Sequence, residues 1–246
     1  PVPEQFVIYM KNLLKGDFGV SAKTGRDIGK TIFTSFKVSA KIGGMAVVVA
    51  VIIGIIFGSI AALNRNKVPD RLIIFFSSLF TSLPSFVLAS LLLLVFSIKL
   101  EWIPAWSKDN PNYILPVISL AAYPMAYVTR LTKTSMLDAM GQDYVRTARA
   151  KGVASWKVLF KHTLRNALIP VATYVGPMTA SILTGSLVVE RIFTIGGLGS
   201  KFVDSITNRD YPLIMGVTIF LAVLMVTINL ITDIVYKIID PRIKLD

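Results

Sequence analysis

The amino-acid sequence predicts an all-α membrane protein with five transmembrane helices in its 246 residues. Composition is the first reason. Hydrophobic residues make up 54% of the chain and charged residues 16%, where soluble domains carry about 25% charged. A chain this apolar is not disordered either. The second reason is where charge is missing. All 26 Lys and Arg and all 14 Asp and Glu fall outside five runs, 42–64, 72–98, 110–129, 166–189 and 211–232. A helix rises about 1.5 Å per residue and a bilayer core is about 30 Å thick, so about 20 apolar residues cross it. Helices of a soluble core keep a polar stripe, and these runs are apolar all round.

The net charge of +12 raises nucleic acid as a partner, but its placement points to topology. Lys and Arg near span ends favour the cytoplasm. Connections 65–71 and 130–165 and the tail 233–246 hold 14 of them; segments 1–41, 99–109 and 190–210 hold 12, over more residues. Segment 130–165 is the most basic, with 8 basic and 2 acidic residues. The first side is therefore placed in the cytoplasm, against anionic headgroups of the lipid bilayer, and no nucleic acid is needed. Residues 1–41 then form an extracellular or periplasmic segment, and 1–246 a single transmembrane domain. No signal peptide is visible and the chain begins at Pro1, so a sixth helix is expected upstream, with both ends inside.

In chain order, Gly25-Arg26-Asp27-Ile28-Gly29-Lys30-Thr31 is one residue short of a phosphate-binding loop. No strand precedes it, so nucleotide is not expected there. The first span holds Gly43, Gly44, Gly54 and Gly58. The last two have the GxxxG spacing that lets helices approach closely. Pro84, Pro116, Pro124, Pro170 and Pro177 are expected to kink the second, third and fourth spans. No charge sits mid-span; Glu190 and Asp233 lie near ends, where burial costs little. Self-powered transport through a proton relay is thereby disfavoured, while sodium coupling through backbone carbonyls stays open. Gly196-Gly197-Leu198-Gly199 lacks the GxGxxG spacing and reads as a turn. Cysteine is absent and His162 is the single histidine. That excludes a disulfide framework, a Cys-zinc site, a thiol nucleophile and a multi-His metal site. Neither catalytic nor metal-ligating residues are predicted.

Segment 130–165 is the most informative stretch. Asp143 is placed to N-cap a short helix over 144–150, and Gly152 to end it in a left-handed conformation. Ser155 is placed to cap the next helix from Trp156, with Trp156, Leu159, Phe160, Thr163 and Ala167 on one face. A short helix thus lies across the cytoplasmic face, either resting on headgroups or docking as a knob on a soluble partner. His162 has no second ligand nearby and is expected to pack or to meet an interface.

The run Asp143-Tyr144-Val145-Arg146-Thr147-Ala148-Arg149-Ala150-Lys151-Gly152, then Leu164-Arg165-Asn166-Ala167-Leu168-Ile169-Pro170, closely resembles the B-type permease subunit of oligopeptide and dipeptide ABC importers. It is that group's form of the signature E-A-A-x-x-x-G, nine residues, I-x-L-P. Ala148, Gly152 and Leu164 fit the general signature. Arg146 and Thr147 replace Glu and Ala, His162 stands where Ile is usual, and Arg165 replaces Pro, departures typical of the peptide branch. Gly16-Asp17-Phe18-Gly19-Val20-Ser21 resembles the branch's extracellular segment after its first helix. Glu190, Phe193, Gly196 to Gly199 and Arg209-Asp210-Tyr211-Pro212 resemble its last extracellular connection.

The resemblance implies the type I ABC importer permease (MetI-like) fold and import of peptides across the cytoplasmic membrane of a bacterium or archaeon. The implied partners are a homologous second permease, two ABC ATPase subunits and an external solute-binding protein. No cofactor is expected in this chain, since ATP and Mg belong to the ATPases. Arg146, Thr147, Ala148, Arg149, Ala150, Lys151 and Gly152 would form the coupling helix that seats in an ATPase groove. Mid-span kinks and small polar groups single out Pro84, Ser85, Tyr123, Pro124 and Met178 as pathway lining, with packing between the helices as the alternative reading. Gly196, Gly197 and Gly199 would face the binding protein. Nickel and glutathione permeases share these motifs and stay open as alternatives, as does a self-contained secondary transporter.

Overall fold

The computed structural model describes residues 1–239. Helix α1 (Val2–Leu14) lies in the segment 1–41, expected outside, where the residue pattern announces no helix. A turn follows, closed by the pairing of Val20 with Asp27. Asp27 then caps α2 (Ile28–Leu63), accepting the Lys30 N–H at 2.7 Å. The run resembling a phosphate loop is thus a turn feeding a helix whose first donor already has an internal acceptor. The 36 residues of α2 span roughly 54 Å, so its first turns rise out of the bilayer within the segment 1–41.

The second apolar run is not one rod. Helix α3 (Val68–Ser82) meets α4 (Ser85–Leu92, extended by a π-helical stretch Leu93–Lys99) at 104°. Pro84 has no N–H to donate and pushes Leu83 into extended backbone, φ −87° and ψ 124°. The kink that Pro84 predicts is here a full break. In α5 (Ile114–Met140), Pro116 occupies the first turn, where N–H groups lack intrahelical partners anyway. It therefore produces no kink, and Pro124 is the proline inside that helix.

Helix α6 (Asp143–Ala150) starts one residue early. Gln142 takes the cap position, and Asp143, inside the helix, makes no cap bond but approaches Arg146 at 3.5 Å. The helix α7 (Ser155–Lys157) likewise begins after Ala154 without a side-chain cap from Ser155. It continues through a π-helical stretch, Val158–Leu164, into α8 (Arg165–Gly185) and α9 (Leu187–Ile192). Together Ser155–Ile192 is long and apolar enough for one crossing. The wider π turn changes the register. Thr163 and Ala167 are buried, whereas Trp156 and Phe160 are 62% and 61% exposed. The shared face expected of Trp156, Leu159, Phe160, Thr163 and Ala167 is split for that reason. Helices α10 (Leu198–Thr207) and α11 (Tyr211–Ile239) complete the order. Among the described residues, four helical stretches are long and apolar enough to cross a membrane, and the bent α3–α4 pair is a fifth where it is counted as one broken span.

The most extensive packing is α2 on α5. A Cβ on Gly54 would lie 2.7 Å from Val128 Cγ1, and one on Gly58 2.5 Å from the Thr129 carbonyl oxygen. Close backbone approach is what drives association where lipid removes the hydrophobic incentive. Buried carboxylates then tie the connections together at each end. Asp70 pairs with Lys133 at 2.5 Å and accepts the Asn66 N–H at 2.9 Å. That holds connection 65–71 beside the start of 130–165, on one end of the bundle as the charge pattern predicts. At the opposite end Asp210 accepts the Ser21 hydroxyl and the Ala22 N–H, joining the outer segment to connection 190–210. The final seven residues of the tail expected over 233–246 lie outside the described residues.

Candidate functional site

A cavity of about 570 Å³ opens at the Pro84 break. Its walls come from Thr81 to Ser85, from Leu120, Tyr123 and Pro124 of α5, and from Tyr174, Pro177, Met178, Ser181 and Ile182 of α8. The structure therefore brings Pro84, Ser85, Tyr123, Pro124 and Met178 to one place. Backbone interrupted at membrane depth is tolerated where it is buried in protein or lines a water-filled cavity. Lining residues carry hydroxyls and aromatic rings but no charge.

A second cavity of about 450 Å³ shares Thr81 and Tyr123 and continues past Tyr127 to Arg130, Leu131 and Thr134. Tyr123, Tyr127, Arg130 and Thr134 recur every three or four residues, so one face of α5 borders both spaces. Tyr127 stacks on Tyr174 with 4.2 Å between ring centroids and 29° between planes.

On the end of the bundle that carries the basic connections, α6 stands as a short knob. Val145 and Ala148 are buried against Val158. Arg146, Thr147, Arg149, Ala150, Lys151 and Gly152 are exposed. Ala148 is thus the foot of the knob, packed on its own chain. The knob ends in a Schellman turn: the Val153 N–H reaches the Ala148 carbonyl at 3.2 Å, and the Gly152 N–H reaches Arg149 at 3.0 Å. Gly152 has φ +71°, the left-handed conformation expected there. Two closing bonds and a buried foot make this a stiff element.

The turn at the opposite end, expected on the outer side, is organised by Glu190, which is only 1% exposed. Its carboxylate accepts the Ser39 hydroxyl at 2.7 Å, the Ser186 hydroxyl at 2.6 Å and the Ser200 N–H at 3.1 Å. The Ser39 oxygen in turn accepts the Leu198 N–H at 2.8 Å. Gly197 and Gly199 are buried beside this carboxylate; a Cβ on Gly199 would lie 2.9 Å from its oxygen. Gly196 is exposed with open space around it. Among the described residues no three His, Asp or Glu side chains converge as a metal site.

Residues 54–245 match the family described as binding-protein-dependent transport system inner membrane component. This chain belongs to that family. The inner membrane component is 44% identical to the dipeptide transport system permease protein DppB of Bacillus subtilis, over all of this chain and 80% of that protein. It is 42% identical to the oligopeptide permease protein OppB of Haemophilus influenzae, over 99% of this chain and 81% of the relative. It is 41% identical to the glutathione transport system permease protein GsiC of Escherichia coli, over 99% and 80%. An amino acid ABC transporter crystal structure matches with a TM-score of 0.68 at 16% identity, over 85% of this chain and 94% of that one. The MetNI methionine transporter in inward-facing form matches at 0.67 and 13%, over 85% and 95%. Those two likenesses establish the type I ABC permease fold.

Sequence reasoning missed several residues of this inner membrane component. Tyr127 carried a signal, since it follows Tyr123 by one helical turn. Tyr174 and Thr81 carried none, because they come from other helices. Glu190 was read as an inexpensive charge near a span end. Its burial depends on Ser39, 151 positions away.

Proposed function

We propose that this inner membrane component is the permease subunit of an ATP-driven importer of di- or oligopeptides. The observation that carries the reading is the pair of contiguous cavities at the Pro84 break. Their volumes fall in the range of small-molecule sites, about 300–1,000 Å³. Hydroxyl and aromatic walls can hydrogen-bond a peptide backbone and tolerate varied side chains. The likeness to DppB and OppB supports peptides as cargo. The likeness to GsiC keeps glutathione, itself a short peptide, as the second reading. A homologous permease closes the open side of the cavities, two ATPase subunits supply the work, and an external binding protein delivers cargo.

The coupling element is α6. A stiff knob passes nucleotide-driven closure into the helices, where a loose loop would absorb it. Exposed Arg146, Arg149 and Lys151 can pair with acidic or carbonyl acceptors on an ATPase. In the full complex reconstituted in liposomes, Gly152→Trp is expected to abolish uptake while ATP hydrolysis continues. Ala150→Trp, which keeps the left-handed glycine, should do the same. Normal uptake by both variants would rule out docking through α6.

The outer turn is proposed to meet the binding protein through Gly196 rather than through its buried neighbours. A Gly196→Cys variant carrying a short photoreactive label should crosslink to the binding protein during turnover. Labelled, active complex that yields no such product would remove this turn from the delivery contact.

A further inference from the structure

We infer that Arg130 is a carboxylate-binding residue at the cytoplasmic mouth of the pathway, where it takes the free C-terminal carboxylate of a departing peptide. The inference rests on the peptide reading above. It begins from charge placement along the two cavities. The cavity at the Pro84 break is lined by uncharged residues, and among those lining the second, Arg130 alone is charged. A travelling peptide therefore passes a neutral wall and then one fixed cation.

Two cations lie within one turn of α5, and the chain uses them differently. Lys133 is neutralised by Asp70 at 2.5 Å and serves the packing of α3 on α5. Arg130 has no carboxylate partner among the described residues and faces the cavity instead. The threonine hydroxyls of this space are already committed: Thr134 donates to the Arg130 carbonyl at 3.0 Å, and Thr81 donates to the Ser77 and Ser78 carbonyls at 3.1 and 3.0 Å. The Tyr123 and Tyr127 hydroxyls remain as neutral donors, and the guanidinium is the charged one.

Its depth fits release. Arg130 stands roughly 24 Å along α5 from Ile114, near the inner edge of the apolar core. An unpaired guanidinium is tolerated at that level where it reaches headgroups or a water-filled space. The planar fork of arginine matches a carboxylate with two parallel hydrogen bonds. A conduit for peptides of varied sequence gains little by reading side chains, but every unmodified linear peptide ends in a carboxylate. A hydrated, exposed cation also binds weakly enough to let go, as conduction requires.

The test uses the full reconstituted complex and two forms of one peptide, free acid and C-terminal amide. The binding protein is unchanged between variants, so the ratio of acid to amide uptake isolates the permease. Arg130→Gln is expected to lower maximal uptake of the acid about tenfold relative to the amide, the size of one lost charge-assisted hydrogen bond. Arg130→Lys keeps the charge without the fork and is expected to lower the ratio two- to threefold. It also carries the comparison should the glutamine variant fail to assemble. Equal loss of acid and amide would overturn the inference and assign Arg130 to lipid phosphate or to assembly. An unchanged ratio would overturn it as well. Wild-type complex that moves neither peptide would overturn the peptide reading itself.

Discussion

A Gly58→Leu variant is expected to leave almost no assembled protein in the membrane, while Gly44→Ala is expected to behave as wild type. The difference follows from what each position faces. A Cβ at Gly58 would lie 2.5 Å from the Thr129 carbonyl oxygen and 2.6 Å from Thr132 Cβ, whereas nothing lies within 4 Å of one at Gly44. The Thr129 contact is backbone, so no rotamer change relieves it. The α2–α5 interface must open instead. Overpacking costs about 1–3 kcal/mol for modest insertions and more when helices separate, against a total stability of about 5–15 kcal/mol. Gly58→Ala should fall between the two. Protein in the membrane fraction and the thermal midpoint in detergent measure the effect. Full assembly of the leucine variant would show that α2 and α5 do not meet as described.

The second large effect is expected at Glu190. Glu190→Ala leaves the Ser186 hydroxyl and the Ser200 N–H without their buried acceptor and leaves the Ser39 hydroxyl only its long 3.4 Å contact to the Ser35 carbonyl. Each orphaned group costs about 1–3 kcal/mol, so the outer turn should come away from α2 well before the bundle melts. Glu190→Gln keeps the shape but replaces one acceptor oxygen with a donor, and about a third of the loss is expected. Limited proteolysis from the outer side reads the turn directly. The alanine variant should be cut near 194–200 at protease levels that spare wild type. Equal resistance would mean that the serines find other partners and the carboxylate is not the anchor.

Both effects concern glycines and carboxylates whose residue type was visible but whose neighbours were not. Gly54 and Gly58 announced a close helix contact by their spacing, yet only the fold identifies Val128, Thr129 and Thr132 as the surface they meet. Gly196, Gly197 and Gly199 looked alike as a turn, and the fold separates one exposed glycine from two buried ones. Ala148 looked like part of a docking face, and packing on Val158 makes it the foot instead. Gly152 was legible in full, because a helix stop needs only the local backbone.

The residues lining the cavity at the Pro84 break show the same division. Pro84 and Pro124 could be singled out because proline acts on its own helix. Their convergence with Met178 and Tyr174 on one cavity depends on a 104° break whose angle no local rule supplies. The π-helical stretch over Val158–Leu164 is also invisible to a 3.6-residue period, and it moved Trp156 and Phe160 off the buried face.

By itself, the order of residues determined that this chain crosses a membrane several times, which end carries the basic connections, and where a short capped knob interrupts the crossings. Those properties depend on matching each segment to its solvent, and that match is local. Tertiary structure alone decided which cations are neutralised, which carboxylates are sealed inside, and where the open space runs. These depend on side chains brought together from distant positions, as with Ser39 beside Glu190 and Asp70 beside Lys133.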